Sequence, residues 1–190
     1  MPYAPVSGSL KIAIWGVKKV NTINNKGTLT ISSIGIIRND SSNGNVIYNT
    51  GTINLSNGIV TTQTNGGKGI YNLGAVSISG GKIVVQGIGA NAIYNSANST
   101  LKMSDGIIEV TGYGSKGIYN DSNVEITGGS IIVSAEDAVG IYNSTSSTTC
   151  TIKSAEIIIE AEEIENYDLI KNTVEFKQEL EEMKPSYGIY

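Results

Sequence analysis

The sequence predicts an all-β fold, a single-stranded parallel β-helix (β-solenoid) of about eight rungs, each with about 23 residues and three short strands. Three observations predict it. A four-residue segment, Gly69-Ile70-Tyr71-Asn72 in one copy, recurs along the chain. Apolar and polar residues alternate between the copies, as they do in strands with one buried face. Glycine pairs such as Gly80-Gly81 separate some of the alternating runs.

The asparagine that ends each recurring segment defines the period. Its copies are Asn25, Asn49, Asn72, Asn95, Asn120, Asn143 and Asn166. The steps between them are 24, 23, 23, 25, 23 and 23 residues. A period this regular indicates stacked structural repeats, in which each strand bonds its equivalent one rung away. A sheet built from hairpins would not require it.

Residues 73–95 show the pattern of one rung. Two short alternating runs, 76–78 and 83–85, flank the pair Gly80-Gly81, which is suited to a corner because glycine adopts positive φ without penalty. A third short strand ends at Asn95. Stacked rungs then predict continuous columns of buried β-branched residues, with Cys150 as a small core residue in the column of Val124.

In the recurring segment, the asparagine lies on the same side of the strand as the isoleucine. We therefore predict that the asparagines point inward and hydrogen-bond from rung to rung, since a buried amide needs a partner. The tyrosine points to the opposite face, with successive strands about 4.8 Å apart. The predicted tyrosine stripe contains Tyr48, Tyr71, Tyr94, Tyr119 and Tyr142.

The sequence predicts one domain with three regions. Residues 1–25 form an irregular first rung or N-terminal cap, and residues 26–166 form the regular rungs, in which we expect Ile164 to follow Ile141. Residues 167–190 form an acidic last rung or a capping segment. Its two interpretations are a short C-terminal helix, for which Asn172-Thr173-Val174-Glu175 resembles a capping box, and acidic strands.

Composition excludes several classes of function. The net charge of −4 argues against nucleic-acid binding, which needs a basic face. No apolar run approaches the roughly 20 residues of a membrane span, and no signal peptide is visible.

The chain has no histidine, which removes Ser-His-Asp triads and histidine-based metal sites. Acidic residues such as Glu109 and Glu125 look isolated, with uncharged neighbours on adjacent rungs. We therefore expect no enzyme activity, cofactor or metal.

The repeat, with its glycine pairs and its Gly-Ile-Tyr-Asn ending, resembles the right-handed parallel β-helices of bacterial surface and adhesin-like proteins, in the pectate-lyase-like fold group, over about residues 26–166. The inward asparagines resemble the asparagine ladder of that group. The resemblance implies a structural or adhesive rod, extracellular or on a cell surface or virion, or else a carbohydrate-binding or polysaccharide-degrading β-helix of the tailspike or lyase kind. The clustered Asp, Arg and Lys of the lyases has no counterpart here, so we expect the non-catalytic rod.

Two surfaces are candidates for binding. Residues 1–50 carry a net charge of +4 and residues 151–190 a net charge of −6, and the chain ends at Tyr190 in phase with the repeat. We therefore expect head-to-tail self-association into filaments. The tyrosine stripe is the candidate for a glycan or partner surface. The alternative is that its rings stack on one another and only stabilise the fold.

Overall fold

A computed structural model describes residues 11–12, 20–160 and 170–171. The strands are short because each spans one side of a rung. In chain order they are β1 (Lys11–Ile12), β2 (Ile23–Asn25), β3 (Thr28–Ile31), β4 (Ile36–Asn39), β5 (Asn45–Asn49), β6 (Thr52–Leu55), β7 (Ile59–Thr62), β8 (Lys68–Asn72), β9 (Ala75–Val85), β10 (Asn91–Asn95), β11 (Thr100–Val110), β12 (Lys116–Asn120), β13 (Asn123–Ile126), β14 (Ser130–Val133), β15 (Val139–Asn143), β16 (Thr149–Ile152), β17 (Glu156–Ile159) and β18 (Ile170–Lys171).

The strands form two parallel sheets. One has seven strands in the order β18-β15-β12-β10-β8-β5-β2, so each neighbour is the equivalent strand one rung away. The other has eleven strands and holds the first two sides of every rung. The register follows the repeat, with Ile70 beside Ile93 and Tyr71 beside Tyr94. The predicted parallel β-solenoid is confirmed, with about six rungs in the described part of the chain.

The corner between the first and second sides of a rung depends on glycine. Gly58, Gly81, Gly106 and Gly129 occupy the same place in successive rungs, with φ between +79° and +100°. An L side chain is strained there, whereas glycine is not. In β9 and β11 the sheet hydrogen bonding continues through this corner, so two of the predicted short strands merge into one strand of 11 residues.

The core is a narrow stack of aliphatic side chains. One column joins Ile53, Val76, Leu101 and Val124 to Cys150, as predicted. Each of these residues is at most 4 % exposed. The other predicted columns also align in register: Leu55, Ile78, Met103 and Ile126; Val60, Ile83, Ile108, Ile131 and Ile157; Val85, Val110, Val133 and Ile159. Burying one such side chain contributes roughly 1.5–3 kcal/mol.

One predicted register is wrong. The structure pairs Ile141 with Ile170 and Tyr142 with Lys171, so the place expected for Ile164 is taken by a residue six positions later. Three of the six extra residues stand in the segment 144–148, before β16, and the other three stand between β17 and β18. The predicted ladder residue Asn166 lies outside the described residues. So do most of the cap at 1–25 and nearly all of the segment 167–190, including its proposed helix. Within the described ranges, no helix is long and apolar enough to cross a membrane.

Candidate functional site: the tyrosine face

In the third strand of each rung, successive side chains point alternately into the core and towards the outer face. In β5, β8, β10, β12 and β15 the isoleucine and the final asparagine are buried, and the tyrosine between them is half-buried on the outer face. The pairing places the five predicted tyrosines in one line, from Tyr48 to Tyr142. The structure therefore brings the whole predicted stripe together.

The tyrosine rings stack on one another. The centroid distances are 5.4 Å for Tyr48–Tyr71, 5.0 Å for Tyr71–Tyr94 and 4.6 Å for Tyr94–Tyr119, with planes within 11° of parallel. The last pair, Tyr119–Tyr142, is tilted by 37° at 5.1 Å. Offset stacking of this kind stabilises aromatic pairs. Because the inner rings cover each other's faces, the stripe offers ring edges and hydroxyl groups to a ligand rather than flat platforms.

Two lysines lie beside the stripe. The Lys68 Nζ atom is 5.9 Å from the Tyr71 centroid and 6.0 Å from the Tyr94 centroid, and the Lys116 Nζ atom is 5.5 Å from the Tyr142 centroid. These distances suit cation–π contacts. The lysines alternate with Asn45 and Asn91 in one column of the same sheet. Sequence reasoning missed this column, although each member stands three residues before a stripe tyrosine.

A shallow depression opens at the N-terminal end of the stripe. Its volume is about 450 Å³, and it is lined by Asn43, Asn45, Tyr48, Lys68 and Tyr71. Amide, ammonium and phenol groups therefore meet on one surface. The depression therefore offers both hydrogen-bond donors and hydrogen-bond acceptors, next to partly apolar ring edges.

Asp121 organises the hydroxyl groups in the middle of the stripe. The Tyr94 hydroxyl donates to Asp121 Oδ2 at 2.9 Å, and the Ser144 hydroxyl donates to Asp121 Oδ1. Partial burial, together with this hydrogen bond, raises the pKa of Tyr94 well above its ordinary value. Partial burial and the nearby charge of Asp121 also raise the pKa of Tyr119. These phenols stay protonated at neutral pH, so they act as hydrogen-bonding groups and not as bases.

The asparagines form a continuous ladder inside the stack. The Nδ2 atom of each donates to the Oδ1 atom of the next, at 2.7 Å for Asn25–Asn49 and 3.0 Å for Asn120–Asn143. The three bonds between Asn49 and Asn120 each measure 2.9 Å. From Asn49 to Asn143 every ladder residue is fully buried. The predicted ladder is confirmed over these residues, and its amides are not available to a ligand.

The acidic residues of the rungs are not isolated, which corrects the sequence analysis. Glu109 forms a salt bridge with Lys82 of the preceding rung. Glu125 contacts Lys153 at 2.9 Å and Lys102 at 3.3 Å, and hydrogen bonds from these two lysines lower its pKa. Surface pairs of this kind contribute little stability. Each carboxylate faces an ammonium group and not a second carboxylate.

The described residues contain neither a metal-binding cluster nor an activated thiol. Within residues 11–12, 20–160 and 170–171, no three or more Cys, Asp or Glu side chains group so as to hold a metal ion. Cys150 is 4 % exposed, and burial raises the pKa of its thiol to about 12, so the thiol is not an activated nucleophile.

Comparison of the chain with models of protein families, with curated proteins and with solved structures found no match. The resemblance to surface β-helices therefore rests on the repeat and on the asparagine ladder. The asparagine ladder and the tyrosine face are the remaining guides to function.

Proposed function

We propose that this chain is a non-catalytic structural or adhesive β-solenoid rod of an extracellular, cell-surface or virion fibre. The observation that carries the proposal is the continuity of the asparagine ladder from Asn25 to Asn143. A chain of hydrogen bonds along one axis, inside two sheets whose backbone bonds run the same way, suits a rigid element better than a site that must open and close.

The outer surface supports the same proposal. The tyrosine rings stack along the axis, and Lys82, Lys102 and Lys153 form salt bridges from rung to rung. Every class of contact thus joins a rung to its neighbours, as in other repeat proteins whose stability is the sum of such interfaces.

The described rungs form a short stack. Six rungs at about 4.8 Å each give a stack of about 30 Å, similar to the diameter of a small domain. We therefore propose that copies associate head to tail, with the basic N-terminal part of one chain against the acidic C-terminal part of the next. Such contacts weaken as salt is added.

Electron microscopy of the purified chain, with light scattering over a range of protein and salt concentrations, tests this function. We expect filaments, or a particle length that grows with concentration and shrinks with salt. Lys26 and Glu160 are exposed and lie near opposite ends of the described stack. Glu160→Lys should shorten the assemblies, whereas Lys102→Gln in the middle of the stack should not. A monodisperse monomer under every condition would contradict the filament.

The second candidate function is a carbohydrate-binding or polysaccharide-degrading β-helix. The depression beside Tyr48, Lys68 and Tyr71 favours the binding form, because amides, phenols and an ammonium group suit an acidic glycan. A glycan array with the parent and with Lys68→Gln tests it, and Tyr71→Phe separates the hydroxyl from the ring stack. Lys116→Gln, farther along the same column, is the control. If the parent binds no glycan, this candidate is wrong.

A further inference from the structure

The chain contains three asparagines that are followed directly by glycine. They are Asn43-Gly44, Asn57-Gly58 and Asn65-Gly66. In such a pair the glycine backbone nitrogen, unhindered by a Cβ atom, attacks the side-chain carbonyl carbon of the asparagine. The first two pairs are both preceded by serine and the third by threonine. Local sequence alone therefore gives them similar reactivity.

The structure separates the three pairs. The Gly58 nitrogen lies 2.8 Å from Oδ1 of Asn57, its own preceding side chain. This hydrogen bond holds the nitrogen beside the amide whose Cγ atom it must attack, so this one contact has to open before the two reacting atoms meet. Asn57 is exposed at the corner between β6 and β7, so water reaches its side-chain amide, although Gly58 itself is buried.

In the other two pairs, the glycine nitrogen donates a hydrogen bond to a different group. The Gly44 nitrogen donates to the Ser41 carbonyl oxygen at 2.8 Å, and the Gly66 nitrogen donates to the Ile88 carbonyl oxygen at 2.8 Å. The Asn65 side chain is also held, because its Oδ1 atom accepts from the Ile88 nitrogen at 3.1 Å. Reaction at either pair needs backbone hydrogen bonds to break first.

We propose that Asn57 is a site of selective, spontaneous deamidation in the folded protein. The Gly58 nitrogen gives its proton to solvent base and bonds to Cγ of Asn57, and the Cγ–Nδ2 bond breaks as the Nδ2 group takes a proton from water and leaves as ammonia. Water then opens the cyclic imide. Cleavage of the Cγ–N bond gives aspartate, and cleavage at the main-chain carbonyl gives isoaspartate. Nothing is oxidised or reduced, and the corner acquires a negative charge.

The fold already contains a corner of the aspartate form. Two rungs later, Asp105-Gly106 occupies the same corner, and the Gly106 nitrogen donates to Asp105 Oδ1 at 2.7 Å. The aspartate product is therefore accommodated. The isoaspartate product adds a methylene group to the main chain just before Gly58, one residue ahead of Ile59, whose nitrogen donates to the Gly35 carbonyl oxygen at 2.7 Å. That product disturbs the contact between rungs.

The test is incubation of the full chain at mildly alkaline pH in heavy-oxygen water, followed by digestion and mass spectrometry. Cleavage after arginine and lysine leaves all three pairs in the peptide 39–68, so fragment ions assign each site. The heavy oxygen marks reaction during the incubation and not during digestion. The same incubation in urea measures the three sites without the fold.

In the folded protein we expect Asn57 to react at least about tenfold faster than Asn43 and Asn65, and we expect the difference to close in urea. Asn57→Gly, which copies the natural corner Gly80-Gly81, should fold and lose most of the heavy-oxygen uptake. Equal rates at the three sites of the folded protein would overturn the proposal. So would a preference that persists in urea, or no reaction at Asn57 over a time that converts all three sites in urea.

Discussion

The side-chain amide of Asn72 donates to Oδ1 of Asn95 at 2.9 Å, although the two residues are 23 positions apart. Both side chains are fully buried. Asn72 also accepts from the Gly74 nitrogen and donates to the Thr100 carbonyl oxygen. One amide thus satisfies groups on two rungs, which explains why the residue recurs at this corner.

Replacing Asn72 tests the ladder. Asn72→Ala leaves the Asn49 amide without one acceptor and the Gly74 nitrogen without its side-chain partner. We expect the free energy of unfolding to fall by about 3 kcal/mol, because buried groups that lose a partner cost 1–3 kcal/mol each. Urea denaturation measures it. Asn54→Ala, at an exposed position of β6, is the control and should change stability by less than about 0.5 kcal/mol. Equal effects of the two substitutions would contradict the ladder's role.

The spacing between rungs can be tested with two glycines. A Cβ atom at Gly74 would lie 2.2 Å from the Gly51 carbonyl oxygen, so Gly74→Ala must push two rungs apart, at a cost of about 1–3 kcal/mol. At Gly140 the nearest atom would be Ile157 Cγ2 at 3.4 Å, an ordinary contact. Gly140→Ala should be neutral or stabilise by a few tenths of a kcal/mol, since it restricts the unfolded chain. Thermal unfolding of both variants measures which one is less stable. If the rungs did not stack in this register, Gly74→Ala would not be the more destabilising substitution.

The tyrosine face should respond to alkaline pH. The pKa of Tyr94 is raised in the folded protein, so its contribution to stability is full below the ordinary tyrosine pKa of about 10 and is lost as the pH rises towards the raised value. Absorbance titration should show tyrosine ionisation delayed relative to the urea-unfolded chain. Asp121→Asn should lower the pKa of Tyr94, and Tyr94→Phe should remove its share of the loss of stability. An unchanged Tyr94 titration in Asp121→Asn would show that this hydrogen bond is absent.

Cys150 provides a probe of the core. Because burial raises the pKa of its thiol to about 12 and leaves it 4 % exposed, a thiol reagent should modify it only as fast as the rung opens. The rate should rise by orders of magnitude in urea. Cys150→Val should keep the fold, since Val124 occupies the same column one rung earlier. Fast labelling under native conditions would place the residue outside the core.

The fold could be predicted from the sequence because the recurring segment couples two requirements. Ile70 and Asn72 must be buried, and Tyr71 must lie on the outer face. Only strands stacked in register satisfy both requirements at every copy. The period then defines which residues meet. Glu125 was misjudged although the same alignment sets it beside Lys102. That pair was available to sequence reasoning and was missed.

Other features could not be predicted from the repeat and its apolar periodicity. The sequence contains Ile164-Glu165-Asn166 and, six residues later, Ile170-Lys171-Asn172. Both fit the repeat, and the extra residues after Asn143 and after Ile159 decide between them. Likewise, the distances from the lysine ammonium groups to the tyrosine rings depend on the directions of the side chains. The hydrogen bond between the Gly58 nitrogen and Asn57 depends on a backbone angle. Neither follows from apolar periodicity.

Nuclear magnetic resonance contacts between the side chains of adjacent rungs test the central claim most directly. The account predicts contacts of the Asn72 side-chain amide protons with Asn95 and with Asn49, and contacts between the methyl groups of Ile70 and Ile93. Contacts that paired β8 and β10 in antiparallel order, or that placed Asn72 far from Asn95, would contradict it.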